Sequence, residues 1–407
     1  MEAISTSCCI AGGGPAGMML GFLLARAGVE VVVLEKHADF LRDFRGDTIH
    51  PSTLEIMHEL RILDGFLRLP HQEARVLNAQ FGDASMTFAD FTRLPTHCKF
   101  LAFMPQWDFL NFIARRAMDY PAFHLRMNAE VTDLIEEAGR IAGVRVSTSN
   151  GPLEVRAKLV AGADGRSSLV REKAGLKVEE FGAPMDVLWL RLRRAPSDPE
   201  ETAGRIDVGR IFIMISRGAE WQLGLVIPKG TAEQVREQGM PAFRETITNL
   251  APFLHDRVGE LRNWDEVKLL TVRVDRLLQW YRPGLLCIGD AAHAMSPVGG
   301  IGINLAIQDA VAAANILVAP LRERRLTERD LLRVQKRRAW PTRLTQSFQL
   351  AIQNRVIKRT LEARPLANRT AGLELPLILR LTRRFRTIRR LNARLVGLGF
   401  RPEHVRI

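Results

Sequence analysis

Near the start of the chain an apolar strand, residues 7–10, runs straight into Gly12-Gly13-Gly14-Pro15-Ala16-Gly17. A helix follows to about residue 27, with Gly28 as its cap, and a second apolar strand over 30–34 ends in Glu35 and Lys36. Each glycine has its own task. Gly12 permits the tight turn, Gly14 lets a pyrophosphate approach the backbone, and Gly17 lets helix and strand close on each other. The helix N-terminus then faces the phosphates. Glu35, roughly 20 residues beyond the first glycine, can accept hydrogen bonds from a ribose diol. Strand, glycine turn, helix, strand and terminal acid in this order require an α/β, Rossmann-like nucleotide domain.

A second turn of the same kind stands far away, at residues 289–304, GDAAHAMSPVGGIGIN. It leaves a short apolar strand (285–288) and opens an apolar helix over 305–317. Gly289-Asp290 sets a carboxylate at the strand end, where a polyol could meet it. Pro297, Gly299, Gly300, Gly302, Ile303 and Asn304 form a second helix start with bare backbone N–H groups, suited to partial negative charge. Together the two turns could hold the ends of one long ligand.

Between them, a strand over 158–163 ends in Asp164-Gly165, followed by a helix start at Arg166-Ser167-Ser168. An acid at a strand's carboxyl end lies by rule at the ligand crevice of such a sheet. A helix cap by Asp164 or Ser167 explains the same residues without a ligand. Arg45 can reach a phosphate or ribose, or form a surface salt bridge. Ser52 and Glu55 read as a capping pair for a helix over 52–60. Gln106 begins a helix running to about residue 118 and could offer its amide to a pyrophosphate. His293 reads as a packing or hydrogen-bonding residue at the strand end.

The remaining pattern is of strands. Short ones are expected at 123–127, 130–138, 141–148 and 153–157, a meander on the parallel sheet. Residues 185–193, 210–216 and 221–228 suggest a separate antiparallel sheet. Trp189, Arg191, Ile213 and Trp221 on those strands are candidates to line a pocket. The organisation is therefore a discontinuous nucleotide domain (1–75, 98–180 and 268–325), a substrate domain (76–97 and 181–267) and a basic helical C-terminal region (326–407).

The 407 residues carry a net charge of +13. Residues 320–407 hold 23 Lys and Arg against 6 Asp and Glu, or +17, leaving the rest at −4. That basic region has neither aromatic platforms nor a reading motif for nucleic acid, so no nucleic-acid role is expected. A helix over 375–398 places Leu and Ile at helical spacing between arginines. It reads as an amphipathic helix packed on the body or, alternatively, as a weak contact with anionic membrane. The apolar stretch 298–321 imitates a membrane span, but Asn304, Gln308 and Asp309 interrupt it, so a buried core helix is expected. Four scattered cysteines without metal-ligand spacing, and no secretory leader, point to a reduced, cytoplasmic chain without a metal site.

The three motifs, Gly12-x-Gly14-x-x-Gly17 with Glu35, Asp164-Gly165, and Gly289-Asp290, together resemble the single-component flavin monooxygenases of the p-hydroxybenzoate hydroxylase family. The resemblance covers residues 1–320, and Arg401-Pro402-Glu403-His404-Val405 is also similar to tails in that family. It implies FAD bound in extended form, NADPH or NADH as co-substrate, and O2 with a small or polycyclic phenol-like substrate, in a monomer or homodimer. Hydroxylation would pass through a C4a-hydroperoxyflavin, with no side-chain nucleophile. On this comparison Arg45 and Gln106 meet the ribose or pyrophosphate, Val131 meets the adenine through its backbone, and Asp164 serves both nucleotides. Pro297, Gly299 and Asn304 would shape the flavin pocket. Two features depart from the family. The chain has two tyrosines, Tyr120 and Tyr281, neither on the inserted strands, and Ile301 stands where many relatives have Gln. Position 223 is Leu and no lysine stands near residue 79, which argues against the related flavin halogenases. A flavin reductase without oxygen transfer and a lipid-surface flavoprotein are the alternatives.

Overall fold

The structure is a computed structural model that describes residues 2–41, 48–82, 84–199, 203–363, 381–382 and 384–407. Arg45 and the turn around it lie outside the described residues, as do positions 375–380 and 383 of the basic helix.

Two sheets organise the chain. The first has eight strands, and its main path runs Tyr281–Arg282, Leu285–Cys287, Gly151–Gly162, Glu2–Ala11, Val31–Leu34, Phe123–Arg126. The five from Leu285–Cys287 onward pair in parallel. Val31–Leu34, Leu285–Cys287 and the last four residues of the two strands between them are apolar and buried on both faces, as helix-covered parallel strands must be. Arg140–Thr148 and Ala129–Glu137 extend this sheet in antiparallel sense from Gly151–Gly162. Residues 153–157 and 158–163, expected as two strands, form one strand of 12 residues. From Leu153 to Gly162 it pairs with Glu2–Ala11, while its first half also pairs with the meander, so no break is needed.

The second sheet has seven strands in the order Lys268–Leu270, Met185–Arg193, Glu220–Pro228, Arg210–Ser216, Ala203–Asp207, Val76–Phe81, Ala84–Asp90. Strand alternation gives it two unlike faces. Leu188, Leu190, Phe212, Trp221 and Leu223 pack away from the first sheet under the helix Gly239–Leu250. Val187, Trp189, Ile211, Ile213 and Ile215 look the other way, toward Phe91, Phe103, Val298, Ile357 and Val396. Trp221 is therefore on the wrong face for a pocket, and its Nε1 donates to Asp198 at 2.8 Å.

Helices Pro15–Arg26 and Gly302–Arg322 pack side by side against the first sheet. Of the 18 consecutive residues that make Val298–Arg322 resemble a membrane span, 83% are buried, so it is a core helix. The helix Glu328–Ile352 lies on it, begun by a capping box between Thr327 and Asp330. The cap expected at Ser52 is absent. That helix is Pro51–Glu59 with His50 as its N-cap, because Pro51 is pre-set for the first helical position. Glu55 turns outward and binds the backbone and ring of His97 instead. The basic helix is interrupted at Phe385, and its longest described part is Arg386–Gly397. It begins after an extended Phe385 and packs Ala393 and Val396 inward, with Asn392 Nδ2 donating to Phe88 O at 3.0 Å.

Candidate active site

The parallel strands end in register. Ala11 pairs with Leu34 on one side and with Gly162 on the other, and Gly162 pairs with Cys287. The residues that follow these ends therefore stand in one row: Glu35, then Gly12–Gly17, then Asp164, then Gly289-Asp290. At about 4.8 Å per strand the row is roughly 14 Å long. It is the carboxyl edge of the sheet, where an open α/β fold binds its ligand.

At the centre of the row the glycines divide the work. A Cβ on Gly12 would lie 2.4 Å from the Ala163 carbonyl oxygen, and one on Gly17 would lie 2.0 Å from that of Gly12. Both positions are closed to side chains by the packing of turn, strand and helix. Above Gly14 there is nothing within 4 Å. The helix Pro15–Arg26 has no side-chain cap, and its first backbone bond is Met18 N–H to Gly14 O, so Ala16 and Gly17 present open N–H groups. Open space beside uncapped N–H groups fits a pyrophosphate.

Glu35 is buried, and its carboxylate accepts from Gly13 N at 3.0 Å and His37 N at 3.1 Å. These bonds fix its two oxygens beside the glycine turn. Lys36, next along, is exposed. Val131 is two residues beyond Ala129, whose N–H donates to Glu35 O at 2.9 Å, so its backbone runs next to the same corner. Gln106 is half-buried at the first turn of Gln106–Met118, and its side chain has no hydrogen-bond partner among the described residues. Beside it, the Arg191 guanidinium of the second sheet stands 5.7 Å from the centre of the Trp107 ring.

Asp164 is a capping residue in this structure. It accepts from Ser168 Oγ at 2.5 Å and from Val170 N at 3.1 Å, while Ser168 is the N-cap proper and accepts from Arg171 N. Burial raises its carboxyl above the ordinary value despite those bonds. Asp290 is half-buried at the turn Gly289–Ala291, and Arg166 Nη2 reaches its Oδ2 at 3.4 Å. Arg166 thus joins the Asp164-Gly165 and Gly289-Asp290 motifs. The sequence reading missed it, though it follows Asp164-Gly165 directly.

The Gly289 turn is held from behind. Its Cβ position lies 3.0 Å from Ala16 Cβ and 3.2 Å from Ala306 Cβ, so it is wedged between the two helices. Gly289 N donates to Asp309 Oδ2 at 3.1 Å, and His293 Nε2 is 2.5 Å from the same oxygen. Arg338 Nε takes the other oxygen at 2.9 Å, and its Nη1 continues to Glu403, which Arg337 also binds. His293 is a buried member of this cluster, with its ring against Trp280.

Beyond Pro297 the chain makes a tight turn with Gly299 and Gly300 at positive φ (80° and 62°). A Cβ on Gly300 would meet Thr48 Oγ1 at 2.8 Å. The helix Gly302–Arg322 then begins without a side-chain cap, and Leu305 N to Ile301 O is its first bond. The N–H groups of Gly302, Ile303 and Asn304 are open by the same geometry as those of Ala16 and Gly17. The Asn304 side chain is fully engaged. Its Oδ1 accepts from His50 N and Thr53 Oγ1, both at 2.8 Å, and its Nδ2 donates to Thr48 O and Gly300 O. It ties the glycine turn to the strand Thr48–Ile49, leaving only its backbone for a ligand. Two uncapped helix starts, two acids and a glycine cradle along one edge fit FAD.

Known proteins agree with this geometry. A family model described as FAD binding domain matches residues 5–347. The 6-methylpretetramide 4-monooxygenase of Streptomyces rimosus is 34% identical over 363 residues, 88% of this chain and 86% of that one. Among solved structures, PqsL, a probable FAD-dependent monooxygenase from Pseudomonas aeruginosa, has a TM-score of 0.74 at 21% identity, over 88% of this chain and 98% of its own. The OxyS anhydrotetracycline hydroxylase of Streptomyces rimosus has a TM-score of 0.73 at 22% identity, over 98% of this chain and 77% of its own. The chain belongs to the FAD binding domain family and is a single-component, FAD-dependent aromatic monooxygenase of the p-hydroxybenzoate hydroxylase type, using NAD(P)H and O2.

Proposed function

We propose that this chain hydroxylates a polycyclic phenolic ring system, with FAD laid along the row from Glu35 to Asp290 and its ring at residues 297–304. The observation that carries the cofactor assignment is the register Leu34, Ala11, Gly162, Cys287, whose four strand ends bring the three motifs to one edge. A tetracyclic substrate class is supported by the 34% identity to an enzyme named for 6-methylpretetramide. When bound, FAD supplies the hydride acceptor and the oxygen-activating centre.

The residues hold and shield. Ala16 and Gly17 N–H groups take the pyrophosphate, Glu35 the ribose, and Asp290 the ribityl hydroxyls, with Arg166 beside it. Gln106 offers its amide to the pyrophosphate, Val131 its backbone to the adenine, and Asp164 lies where both nucleotides pass. The open N–H groups of Gly302, Ile303 and Asn304 stabilise negative charge on the pyrimidine edge of the ring. Pro297 and Gly299 shape the reaction space, and the apolar face of Val187, Trp189, Ile213 and Ile215 keeps water from it. In this reading the nucleotide domain comprises 1–75, 98–180 and 268–325, the substrate domain 76–97 and 181–267, and the basic region 326–407.

The test is NAD(P)H consumption with anhydrotetracycline in ¹⁸O2, followed by mass spectrometry. A product carrying one ¹⁸O is expected. NAD(P)H oxidation that yields only hydrogen peroxide across a panel of polycyclic phenols would overturn the reading.

A second, peripheral role is a weak contact of the basic helix with anionic membrane, in an otherwise cytoplasmic monomer or homodimer. Exposed Phe385 and Leu391 beside exposed Arg386, Arg390 and Arg394 support it. Flotation with phosphatidylserine vesicles, lost at high salt, is the expected result; equal flotation with neutral vesicles would refute it.

A further inference from the structure

The helix Glu328–Ile352 and the π-turn Gln353–Ile357 that continues it carry glutamines at 346, 349 and 353, a spacing that puts them on one side. The first two do the same job. Gln346 Nε2 donates to the carbonyls of Asp275 (2.8 Å) and Ala294 (3.2 Å), and Gln349 Nε2 to those of Ser296 (3.0 Å) and Val298 (2.8 Å). They hold the segment that leads from the Gly289 turn to Pro297. Gln353 breaks the pattern. Its side chain is 0% exposed, and neither Oε1 nor Nε2 has a partner among the described residues. There the helix also widens into a π-turn, Gln353–Ile357, a distortion that recurs at functional sites. A buried amide with both ends unpaired is costly unless something else satisfies it.

Its surroundings say what that is. Val298, whose carbonyl Gln349 holds, packs in the cluster formed by Val187, Trp189 and Ile215. Ile357, one turn beyond Gln353, packs in the same cluster. With a rise of about 1.5 Å per residue, Gln353 stands about 6 Å along the axis from each neighbour. Its neighbours one turn away on either side thus reach the Val298 carbonyl and the inner face of the second sheet, the side on which the reading above puts the ring. Arg338, whose Nη2 also lacks a partner among the described residues, instead borders a surface crevice together with Asn304, Gln308 and Thr345. Gln353 does not border that crevice.

We propose that Gln353 is a substrate-binding residue whose amide pairs with an oxygen substituent of the ring, Oε1 accepting from a hydroxyl or Nε2 donating to a carbonyl. The proposal rests on the hydroxylase reading above and names the group by which the pocket recognises an oxygenated ring. It gives this chain a polar contact where it has no tyrosine on the inserted strands.

The test is a titration of FAD-loaded protein with 2-naphthol and with 2-methylnaphthalene, which replaces the hydroxyl by a methyl of similar size, followed by flavin absorbance. Gln353→Leu is expected to weaken 2-naphthol about tenfold and to leave 2-methylnaphthalene within about twofold, with thermal stability kept or raised. Gln353→Met should behave likewise. Equal weakening of both probes, or unchanged binding of both with a lowered melting temperature, would assign Gln353 to structure or to a buried water and overturn the proposal. Because binding is read without turnover, a hydroxylase reading that failed on ¹⁸O would leave this comparison standing as a separate result.

Discussion

Asp309 and Arg338 meet at 2.9 Å with neither side chain exposed, and the other Asp309 oxygen holds the Gly289 N–H that precedes Asp290. A buried ion cluster thus sits directly behind the carboxyl edge of the first sheet. Burial alone would raise the Asp309 carboxyl, but His293 and then Arg338 hold it below the ordinary carboxylate range.

Arg338→Met leaves Asp309 and Glu403 without this guanidinium. Removing one partner of a buried pair costs about 3–5 kcal/mol. Urea unfolding at pH 7 should show a loss of that order, and the double variant with Asp309→Leu should lose less than the two singles combined. Because the Asp309 carboxyl is depressed on folding, its contribution is complete above the ordinary aspartate value of about 4 and disappears as pH falls through the lower folded value.

His50 predicts a different acid response. Its Nδ1 lies 2.6 Å from Val396 O and so carries the proton, and burial lowers its pKa to about 4. The unfolded chain binds a proton near pH 6.5 that the folded one refuses until about pH 4. Stability therefore falls by about 3 kcal/mol on acidification across that window. His50→Gln should flatten this slope; an unchanged slope would show that other groups set it.

Gly14→Ala and Gly17→Ala should separate binding from folding. Ala fits above Gly14 without a clash, so that variant should melt like the parent yet retain little flavin. Gly17→Ala drives a Cβ to 2.0 Å from Gly12 O and should lower the melting temperature itself. Absorbance at the flavin band against protein, with calorimetry, reads both.

Asp290→Ala should weaken FAD about ten- to a hundredfold, the worth of hydrogen bonds to a charged group. Fluorescence titration of the stripped protein measures it, and a fully yellow variant would remove Asp290 from the site.

What the sequence disclosed follows how local each feature is. Gly12, Gly14 and Gly17 act within six residues, so their spacing carries their meaning. The apolar runs at Val31–Leu34 and Leu285–Cys287 likewise announce parallel strands. Arg166 and Asp290 meet across 124 positions, and Arg338 and Glu403 across 65, so nothing in either neighbourhood reveals the pairing. Trp221 went to the wrong face because both faces of its strand are buried, which removes the alternation that would have told them apart. Asn304 looked like a ligand group, yet its side chain serves partners more than 250 positions away.

The second sheet takes Val76–Asp90 and Met185–Leu270, while the first takes strands before, between and after those segments. Neither sheet is made from one continuous stretch. A single protease cut, wherever it falls, cannot release either sheet whole, and neither can be expressed alone by choosing two end points. The two sheets are therefore inherited, exchanged and lost together.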